Sequence, residues 1–337
     1  MKKLSIPLWG ALFSVLCCFI CTCSTESALQ VLGVNTEAPV FLTCKAVSST
    51  EINFQFSSSV KVSSMRFDPP LEVVSVTEGD LVRVTLGRET NGGERVVADI
   101  LVEDPQGNTL NVLIPFRTRN DRMPAFLLTE VRTEYSKPKV EFVEVKILSP
   151  GNLGALRVFV ASNSMDEPLF EFPPAEVAAG EYVVLHFRSL EQGNIDETGT
   201  DLNASGGEEA LAEIRDFWVP VTAELLRKTD AVLFLDQDDQ VIDAVMFSES
   251  PDDWWEKEGL VQAAELLGRQ RAWLPAEENA GQIPGPRDGV SSTGTTPTRT
   301  ICRNGTTDNN LAADWYIVTD RSATPGKPNI ATPYVPK

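Results

Sequence analysis

Residues 51–56, Glu-Ile-Asn-Phe-Gln-Phe, alternate polar and apolar side chains without interruption. Successive side chains of a β-strand point to opposite faces, so this pattern predicts a strand with one face on a core and one in water. Residues 81–86 alternate in part in the same way, and turn-forming sequences such as Asn-Gly-Gly at 91–93 lie between such segments. About seven short strands separated by turns of this kind predict an antiparallel β-sandwich over residues 39–118.

Two motifs of this stretch have counterparts in known proteins. Residues 49–56 place Ser-Thr before the alternating strand, and residues 102–108 read Val-Glu-Asp-Pro-Gln-Gly-Asn. Together they resemble an early strand and a late hairpin of bacterial immunoglobulin-like modules. The polar residues that follow end in Pro124, which is unfavourable in a helix or a central strand. We therefore place a linker at residues 119–125.

Four paired motifs follow one another in the rest of the chain. They are 127–131 (Leu-Leu-Thr-Glu-Val) with 140–145 (Val-Glu-Phe-Val-Glu-Val), 170–174 (Phe-Glu-Phe-Pro-Pro) with 179–185, 230–236 with 241–245, and Asp314-Trp315 with 323–329 (Ala-Thr-Pro-Gly-Lys-Pro-Asn). In this order they resemble the lamin-tail domain, an immunoglobulin-like sandwich also found in bacterial exported proteins. The resemblance implies a second β-sandwich over residues 126–330, with loop-like insertions at 189–229 and 276–310 and a tail at 331–337.

One short helix is expected near residue 251, after the predicted strand at residues 241–245. Ser250 can cap it, Pro251 suits its first position, and Asp252 and Asp253 favour the positive end of its dipole, while Gly259 is expected to end it. The predicted fold is therefore all-β: two immunoglobulin-like β-sandwich domains in tandem, with few short helices.

Residues 1–23 combine a basic start with an apolar run that carries four of the six cysteines. This pattern is typical of an export signal. Residues 20–23, Ile-Cys-Thr-Cys, resemble the lipoprotein box of bacterial lipoproteins, which implies a signal peptide at 1–22, acyl chains such as palmitate on Cys23, and a lead segment over 23–38. Several acyl chains together give stable anchoring. Cys18 is a second candidate, and an uncleaved helix over residues 4–23 is the alternative, since a spanning helix needs about 20 residues.

The chain carries 48 acidic and 29 basic residues, a net charge of −19, and a single histidine. A surface this acidic repels phosphate backbones, so nucleic acid is not an expected partner. One histidine cannot build a three-histidine zinc site or an HExxH motif, and the sequence has no GxSxG elbow and no glycine-rich phosphate loop. Alternation places His186 opposite Leu185 and Phe187, which predicts a surface or edge imidazole; a metal ligand or pH sensor is the alternative.

Acidic clusters are the other candidates for chemistry. Asp236, Asp238 and Asp239 could hold calcium through hard oxygen ligands, but a hairpin turn between two strands is the favoured interpretation. The acidic insertion at 189–229 is expected to be a solvated loop. Glu141 and Glu144 are separated by an odd number of residues, so on a regular strand they face opposite ways and are a poor acid–base pair.

The remaining candidate residues are tryptophans and two cysteines. Trp254 and Trp255 are adjacent, and either close the sandwich core with one ring inside and one half outside, or stack on a sugar or anchor a partner. Trp218, Trp273 and Trp315 are expected in the core. Cys44 and Cys302 lie in different predicted domains and are expected as two separate buried thiols.

These observations favour an exported bacterial lipoprotein without catalytic residues. It would act as an interaction or scaffolding module of the cell envelope, held at the membrane through Cys23, on either the periplasmic or the surface face. Its expected partners are the membrane and an envelope protein or glycan, with no cofactor. One alternative is a receptor that takes a glycan or small ligand at Trp254 and Trp255. The other is a metal-dependent hydrolase, which would need the acidic loops to converge.

Overall fold

The computed structural model describes residues 37–191, 193–250, 252, 254–276 and 281–336. They form two compact units: one contains the described residues up to Arg88 and Val96–Phe116, the other Glu89–Arg95 and the chain from Arg117 onward. Both units are built mainly of β-strands, and the described residues contain one α-helix. The predicted all-β class is confirmed. Cys23 and Cys18 lie outside the described residues.

Six antiparallel strands form the first unit, one fewer than the turn signals suggest. They are β1 (Phe41–Ser48), β2 (Glu51–Asp68), β3 (Val73–Thr77), β4 (Gly79–Leu86), β5 (Arg95–Glu103) and β6 (Thr109–Arg117). Their order is β3-β4-β2-β5-β6, and β1 also pairs with β2. The first half of the 18-residue β2 pairs with β1 and β4 and its second half with β5, with register shifts between Gln55 and Val60 and between Val62 and Ser64. Bulges bend a strand, which lets one long strand pair with different neighbours along its length.

The core of the first unit follows the alternation seen in the sequence. Ile52, Phe54 and Phe56 expose 1% of their surface or less, while the polar residues between them are half-buried. Phe54 and Phe67 both meet Phe116 edge-on, each at 6.2 Å between ring centroids. Edge-to-face contacts add to the burial of apolar area, so this aromatic cluster joins the two halves of β2.

Thirteen strands are described in the second unit. They are β7 (Phe126–Arg132), β8 (Phe142–Ile147), β9 (Gly151–Asn152), β10 (Arg157–Val160), β11 (Phe170–Glu171), β12 (Glu176–Val177), β13 (Tyr182–His186), β14 (Arg215–Trp218), β15 (Asp230–Leu235), β16 (Val241–Ser248), β17 (Val290–Ser291), β18 (Ile301–Arg303) and β19 (Trp315–Ile317). One sheet has the order β14-β13-β8-β7-β18-β19 and another β11-β10-β15-β16-β17, while β9 and β12 form a small third sheet. The β13–β14 and β16–β17 pairs are parallel and the rest antiparallel.

The two large sheets share one core and are joined by a buried ion pair. Phe126 of β7 meets Phe234 of β15 at 5.4 Å between centroids. Arg303 of β18 contacts both carboxylate oxygens of Asp243 on β16, at 2.9 and 3.0 Å. Leu128 completes the link, since its N–H donates to Asp243 (2.7 Å) and its carbonyl accepts from Arg303 Nε (2.6 Å). The pairing of charges across the core thus fixes one sheet against the other.

The helix prediction was wrong in position. Helix α1 runs over Glu258–Gln270, so Gly259 lies in its first turn and does not end it; Pro251 lies outside the described residues. A Cβ on Gly259 would lie 2.1 Å from the carbonyl oxygen of Ala161, so glycine permits the helix to approach the neighbouring backbone. The helix buries a stripe at helical spacing, made of Leu260, Ala263, Ala264 and Leu267.

The expected loop insertions contain ordered structure. Residues 189–229 include β14, and residues 276–310 include β17, β18 and a 3₁₀ turn at Pro286–Asp288. Glu197 is 2% exposed and accepts hydrogen bonds from the N–H groups of Ser205 (3.0 Å) and Asp216 (2.9 Å). The prediction of a solvated acidic loop holds for Asp201 and Glu208, which are exposed, but was wrong for Glu197, because this buried carboxylate ties two parts of the insertion together.

Residues 119–125, the expected linker, belong to the second unit. Asn120 is buried, and its side-chain amide donates to the carbonyls of Asn152 (2.7 Å) and Gly154 (2.8 Å). This segment is therefore fixed to the second unit by hydrogen bonds.

The two cysteines of the described residues are free thiols. Cys302 is buried, as expected, whereas Cys44 is only half-buried. Burial raises the pKa of Cys44 to about 12 and raises that of Cys302 as well. Since the thiolate is the reactive form, both thiols are chemically quiet at neutral pH.

Candidate functional site

The two adjacent tryptophans have opposite environments. Trp255 is 7% exposed and its indole N–H donates to the carbonyl of Pro284 at 2.8 Å, whereas Trp254 is 71% exposed. The buried ring closes the core and anchors the segment, as one of the two sequence interpretations expects. The ring of Trp254 projects into solvent, while its neighbour Trp255 is fixed by the hydrogen bond.

A cleft of about 540 Å³ lies beside Trp254 and is lined by polar residues together with Trp255, Leu260 and Pro286. Its acidic lining residues are Glu224, Glu249, Asp252 and Glu256. Three basic residues and the hydroxyls of Thr229, Ser248 and Ser250 also line it. The cleft therefore offers many hydrogen-bond donors and acceptors beside one exposed aromatic face.

Charges in this cleft compensate one another. The ammonium of Lys228 lies 3.1 Å from a carboxylate oxygen of Glu134 and 3.4 Å from one of Glu249. Desolvation lowers the pKa of Lys228, but these two carboxylates outweigh it and leave the pKa raised, so the residue stays charged. Paired in this way, the lysine neutralises part of the acidic lining.

The aspartate cluster forms the turn between β15 and β16, which confirms the hairpin prediction. Asp236 accepts hydrogen bonds from the N–H groups of Asp238 (2.8 Å) and Gln240 (3.0 Å). Asp239 adopts a left-handed φ of 59° and its carboxylate lies 2.7 Å from Arg157, while Asp238 pairs with an arginine. Among the described residues, no group of three or more metal-ligating side chains could hold an ion.

Glu141 and Glu144 have separate partners, as their spacing predicts. Glu141 forms a buried ion pair with Arg188, whose Nε donates to it at 2.8 Å. Glu144 instead lies opposite Glu130 on the neighbouring strand, and neither of these two carboxyls is exposed at all. The proximity of Glu130 and Glu144 was not predicted, because it depends on the register between β7 and β8.

The C-terminal segment, residues 323–329, is hydrogen-bonded to these two carboxyl groups. Thr324 donates its N–H to Glu130 at 3.1 Å, and the N–H of Gly326 donates to Glu144. Asn329 adds two bonds from its amide, to the carbonyls of Thr129 (2.9 Å) and residue 303 (3.0 Å). Two motifs that are far apart in the sequence, 140–145 and 323–329, therefore contact each other directly.

The pKa of both carboxyl groups is raised, and that of Glu144 more strongly. Burial raises the pKa of Glu130, although donors such as Thr300 and Thr324 oppose the shift. Burial first, and the charge of Glu130 second, raise the pKa of Glu144 well above its ordinary value. Thr300 and Thr324 donate hydrogen bonds to Glu130, and the Thr129 hydroxyl donates to Glu144 at 2.5 Å. Glu130 and Glu144 are shielded from solvent. They therefore hold residues 323–329 in place and are not accessible to a substrate.

The prediction of a surface imidazole at His186 was wrong. Leu185 and Phe187 face the core as the alternation predicts, but His186 on the other face is only 2% exposed. Its Nε2 lies 2.8 Å from Asp216, and its ring stacks on Trp218 at 3.9 Å with an interplanar angle of 12°. The insertion that was expected to be solvated folds back over this face and buries it.

His186 belongs to a row of register partners that crosses four strands. Arg132 pairs with Phe142, Phe142 with His186, and His186 with Trp218. The guanidinium of Arg132 lies 4.7 Å from the centroid of the Phe142 ring, which lies 6.5 Å from that of His186. Arg132 also forms an ion pair with Glu209 from the insertion. A cavity of about 420 Å³ opens beside this row.

In the part of the chain that the structure describes, no helix has the length and apolar character needed to cross a membrane.

Two facing β-sheets and one amphipathic helix define the second unit as a two-layer β-domain. The model of a protein family, described as the second domain of the TP_1001 protein, matches residues 124–317. This range is more than half of the chain. The chain belongs to this second-domain family. It is also similar to an uncharacterized protein of Treponema pallidum (strain Nichols), with 26% identity over 246 residues, 70% of this chain and 61% of the relative. The chain thus spans less than two thirds of that relative's length, and no solved structure matches it significantly.

Proposed function

We propose that the protein is an exported, lipid-anchored interaction module of the bacterial cell envelope, and that its second unit binds carbohydrate at the Trp254 cleft. The signal-like residues 1–22 and the lipoprotein-box cysteine at position 23 support export and anchoring. The similarity to a Treponema protein supports a bacterial setting. The observation that carries the binding part is the exposed indole of Trp254, held over a polar, charge-compensated cleft.

The aromatic ring and the cleft suit the two faces of a sugar. A pyranose has an apolar face of C–H groups and a rim of hydroxyls. The exposed ring of Trp254 offers a flat apolar partner for that face, and the hydrogen bond of Trp255 keeps the segment in place. Hydroxyl, carboxylate and ammonium groups of the cleft can then pair with the rim.

The charge of the cleft favours a neutral glycan over an anionic ligand. Four acidic and three basic residues line the cleft, an excess of one negative charge, and the chain as a whole has a net charge of −19. An anion would meet repulsion from both, whereas a neutral sugar meets none. The Lys228 contacts with Glu134 and Glu249 further reduce the positive charge that an anion could use.

Binding is tested with the full chain and insoluble neutral polysaccharides in a co-sedimentation assay. We expect Trp254→Ala to weaken binding by about tenfold or more, since a central aromatic anchor contributes upwards of about 1–2 kcal/mol. Leu148→Ala is the matched control, because Leu148 is 50% exposed and does not line the cleft. Equal binding by wild type and Trp254→Ala, or no binding by wild type to any neutral polysaccharide, would contradict the proposal.

Anchoring is tested separately by Cys23→Ala. We expect the variant to lose radiolabelled fatty acid and to move from the membrane to the soluble fraction. Cys44→Ala is the control and should keep both label and fractionation, because its thiol is half-buried in the first unit. Unchanged labelling and membrane retention of the Cys23→Ala protein would refute Cys23 as the lipidated residue and point to Cys18, without bearing on the cleft.

A further inference from the structure

Three strands of the first unit lie at the edge of a sheet, and one of them differs from the other two. In the described part of the chain, β1, β3 and β6 each pair with a single neighbouring strand. An open edge can pair with another chain, and proteins commonly prevent this with a lysine or a proline on the edge strand. β1 carries Lys45 and β6 carries Pro115, whereas β3 reads Val-Val-Ser-Val-Thr and carries neither.

β3 is exposed along its whole length. All five of its residues are exposed, and Val74 exposes 66% of its surface. A register shift lies between Val73 and Ser75, so residues 75–77 form the regular part of the strand. Valine and threonine favour the extended conformation. An uncharged edge strand of this composition is suited to strand addition, in which an extended peptide joins the sheet through main-chain hydrogen bonds.

The hydrogen bonds of β4 show which main-chain groups of β3 point outward. The N–H of Gly87 donates toward β3 at 2.8 Å, whereas that of Leu86 donates to Thr50 on the opposite side, also at 2.8 Å. Consecutive residues of a strand alternate in this way, so Val84, like Leu86, turns away from β3. Val76 is the register partner of Val84 and turns away from β4. The N–H and carbonyl of Val76 therefore point out of the open edge.

Acidic residues flank this open strand. Glu72 precedes it, Glu78 follows it, Asp80 lies two residues further on, and all three are exposed. Arg83 on the adjacent strand β4 is already paired with Glu51 at 2.9 Å. The edge thus combines an uncharged centre with negative charge at both ends.

A cleft of about 450 Å³ lies beside Glu78, where β3 ends. Glu78, Glu103 and Asp104 line it together with one base, Lys61, which leaves an excess of two negative charges. A lysine or arginine side chain at the end of an added strand would offset this excess. Such complementarity sets the choice of partner and the register of binding.

A second copy of the chain fits this edge poorly. Antiparallel pairing of β3 with itself about its centre places Glu72 opposite Glu78 or Asp80, and like charges directly opposite each other destabilise a strand pair. A segment with basic residues at its ends replaces this repulsion by attraction.

We propose that β3 binds an extended segment of a partner protein by strand addition, and that this segment carries β-branched apolar residues flanked by lysine or arginine. The residues opposite Val76 would continue the apolar layer, because Val84, the neighbour of Val76 on the same face, is fully buried. This surface belongs to the first unit, whereas the Trp254 cleft belongs to the second. The two proposals therefore stand or fall separately.

Fluorescence anisotropy with the full chain tests this proposal. The probe is a short labelled peptide of alternating valine and threonine with lysines at both ends, and its control carries glutamates in place of the lysines. We expect saturable binding of the lysine peptide, at least about tenfold tighter than that of the glutamate peptide. A lysine peptide with N-methyl groups on alternate amides cannot pair along the edge, and we expect it to lose binding.

Variants of the chain locate the binding surface. Val76→Pro removes the outward N–H, and proline is tolerated where that group faces solvent, so we expect binding to weaken about tenfold or more. Val76→Thr is the matched control, since it keeps both the N–H and the branched shape. Glu78→Gln keeps the oxygen that accepts from the N–H of Val62 at 2.9 Å, and we expect weaker binding with a smaller salt dependence. Glu167→Gln, an exposed change in the second unit, should leave binding unchanged.

Several outcomes would overturn the proposal. They are an absence of binding by the lysine peptide, equal binding of the lysine and glutamate peptides, full binding of the N-methylated peptide, and unchanged binding by Val76→Pro. Sedimentation velocity examines the remaining occupant. A concentration-dependent dimer of the wild-type chain that Val76→Pro abolishes would assign the edge to a second copy and would also overturn the proposal.

Discussion

The two units of the chain bury different kinds of side chain. Among the described residues of the first unit, Asp104 is the one charged side chain that is buried, and it accepts from two N–H groups of its own turn. Among its described residues, the second unit buries three pairs of a basic and an acidic group: Arg303–Asp243, Arg188–Glu141 and His186–Asp216. The fold of the first unit is thus determined by alternating apolar residues. The fold of the second unit also requires that each buried charge keeps its partner.

This difference has a consequence for mutation. Apolar burial is spread over many contacts, so trimming one side chain removes a part of it. A buried charge depends on its one partner, because removal of the partner leaves a charge without solvation. The second unit should therefore respond more strongly to loss of a single polar group than the first does to a conservative apolar change.

The largest effect is expected for Asp243→Ala. It removes the buried carboxylate partner of Arg303, which is 1% exposed and keeps only the more exposed Asp308, and we expect a cost of about 3–5 kcal/mol. Tryptophan fluorescence during urea unfolding reports the second unit, because the described tryptophans all lie beyond Arg117. The double variant Asp243→Leu/Arg303→Met should recover most of the loss, since both charges are then gone. If Asp243→Ala unfolds like wild type, buried charge pairing does not stabilise this unit.

The sequence could predict the first unit better than the second for the same physical reason. Alternation over residues 51–56 is local and was read correctly, as was the hairpin at Asp236. The stripe of α1 is also present in the sequence, but the helix was predicted from the capping residues near Pro251 alone and was therefore placed too early. A search for apolar residues at i, i+3, i+4 and i+7 would have found Leu260 to Leu267.

Buried polar pairs could not be read from the sequence, because they depend on register between strands. Glu130 and Glu144 meet through the pairing of β7 with β8, and a local pattern does not contain that register. His186 was assigned to the correct face, but whether that face is open depends on where residues 189–229 fold. The exposed Trp254 and buried Trp255 were anticipated as one of two alternatives, and the cleft beside them was not.

The second prediction concerns the pH dependence of the free energy of unfolding, and its expected effect is smaller than that of Asp243→Ala. The folded state holds the Glu144 proton more tightly than the unfolded state does, because burial raises the pKa of this group. Its contribution to stability is therefore complete below the ordinary pKa of about 4.3 and is lost as the pH rises through the folded value, by at most about 1.4 kcal/mol per pH unit. Asp230, whose pKa burial raises to about 6, acts in the same direction.

The measurement is the pH dependence of the free energy of unfolding of Glu144→Gln against wild type. The neutral amide cannot titrate, so we expect a shallower decline above about pH 4.3 in the variant. Glu167→Gln is the control, because Glu167 is exposed and should leave the slope unchanged. Identical slopes in wild type and Glu144→Gln would show that Glu144 does not hold a proton in the folded state.

The smallest effect is expected in the first unit. Ile52→Val removes one methylene group from an apolar core and should cost about 0.5–1.5 kcal/mol, with no dependence on pH. Hydrogen exchange of the amides of β2 reports it directly. A loss above about 3 kcal/mol, in the range of the buried charge variants, would remove the contrast between the units.

Hydroxyl-radical footprinting with mass spectrometry tests the proposed carbohydrate site most directly. The full chain is labelled alone and with a saturating amount of the neutral polysaccharide that it binds best. We predict that labelling of Trp254, 71% exposed in the free protein, falls sharply with the polysaccharide, while the low labelling of the buried Trp273 stays the same. Full labelling of Trp254 while the polysaccharide is bound would contradict the account.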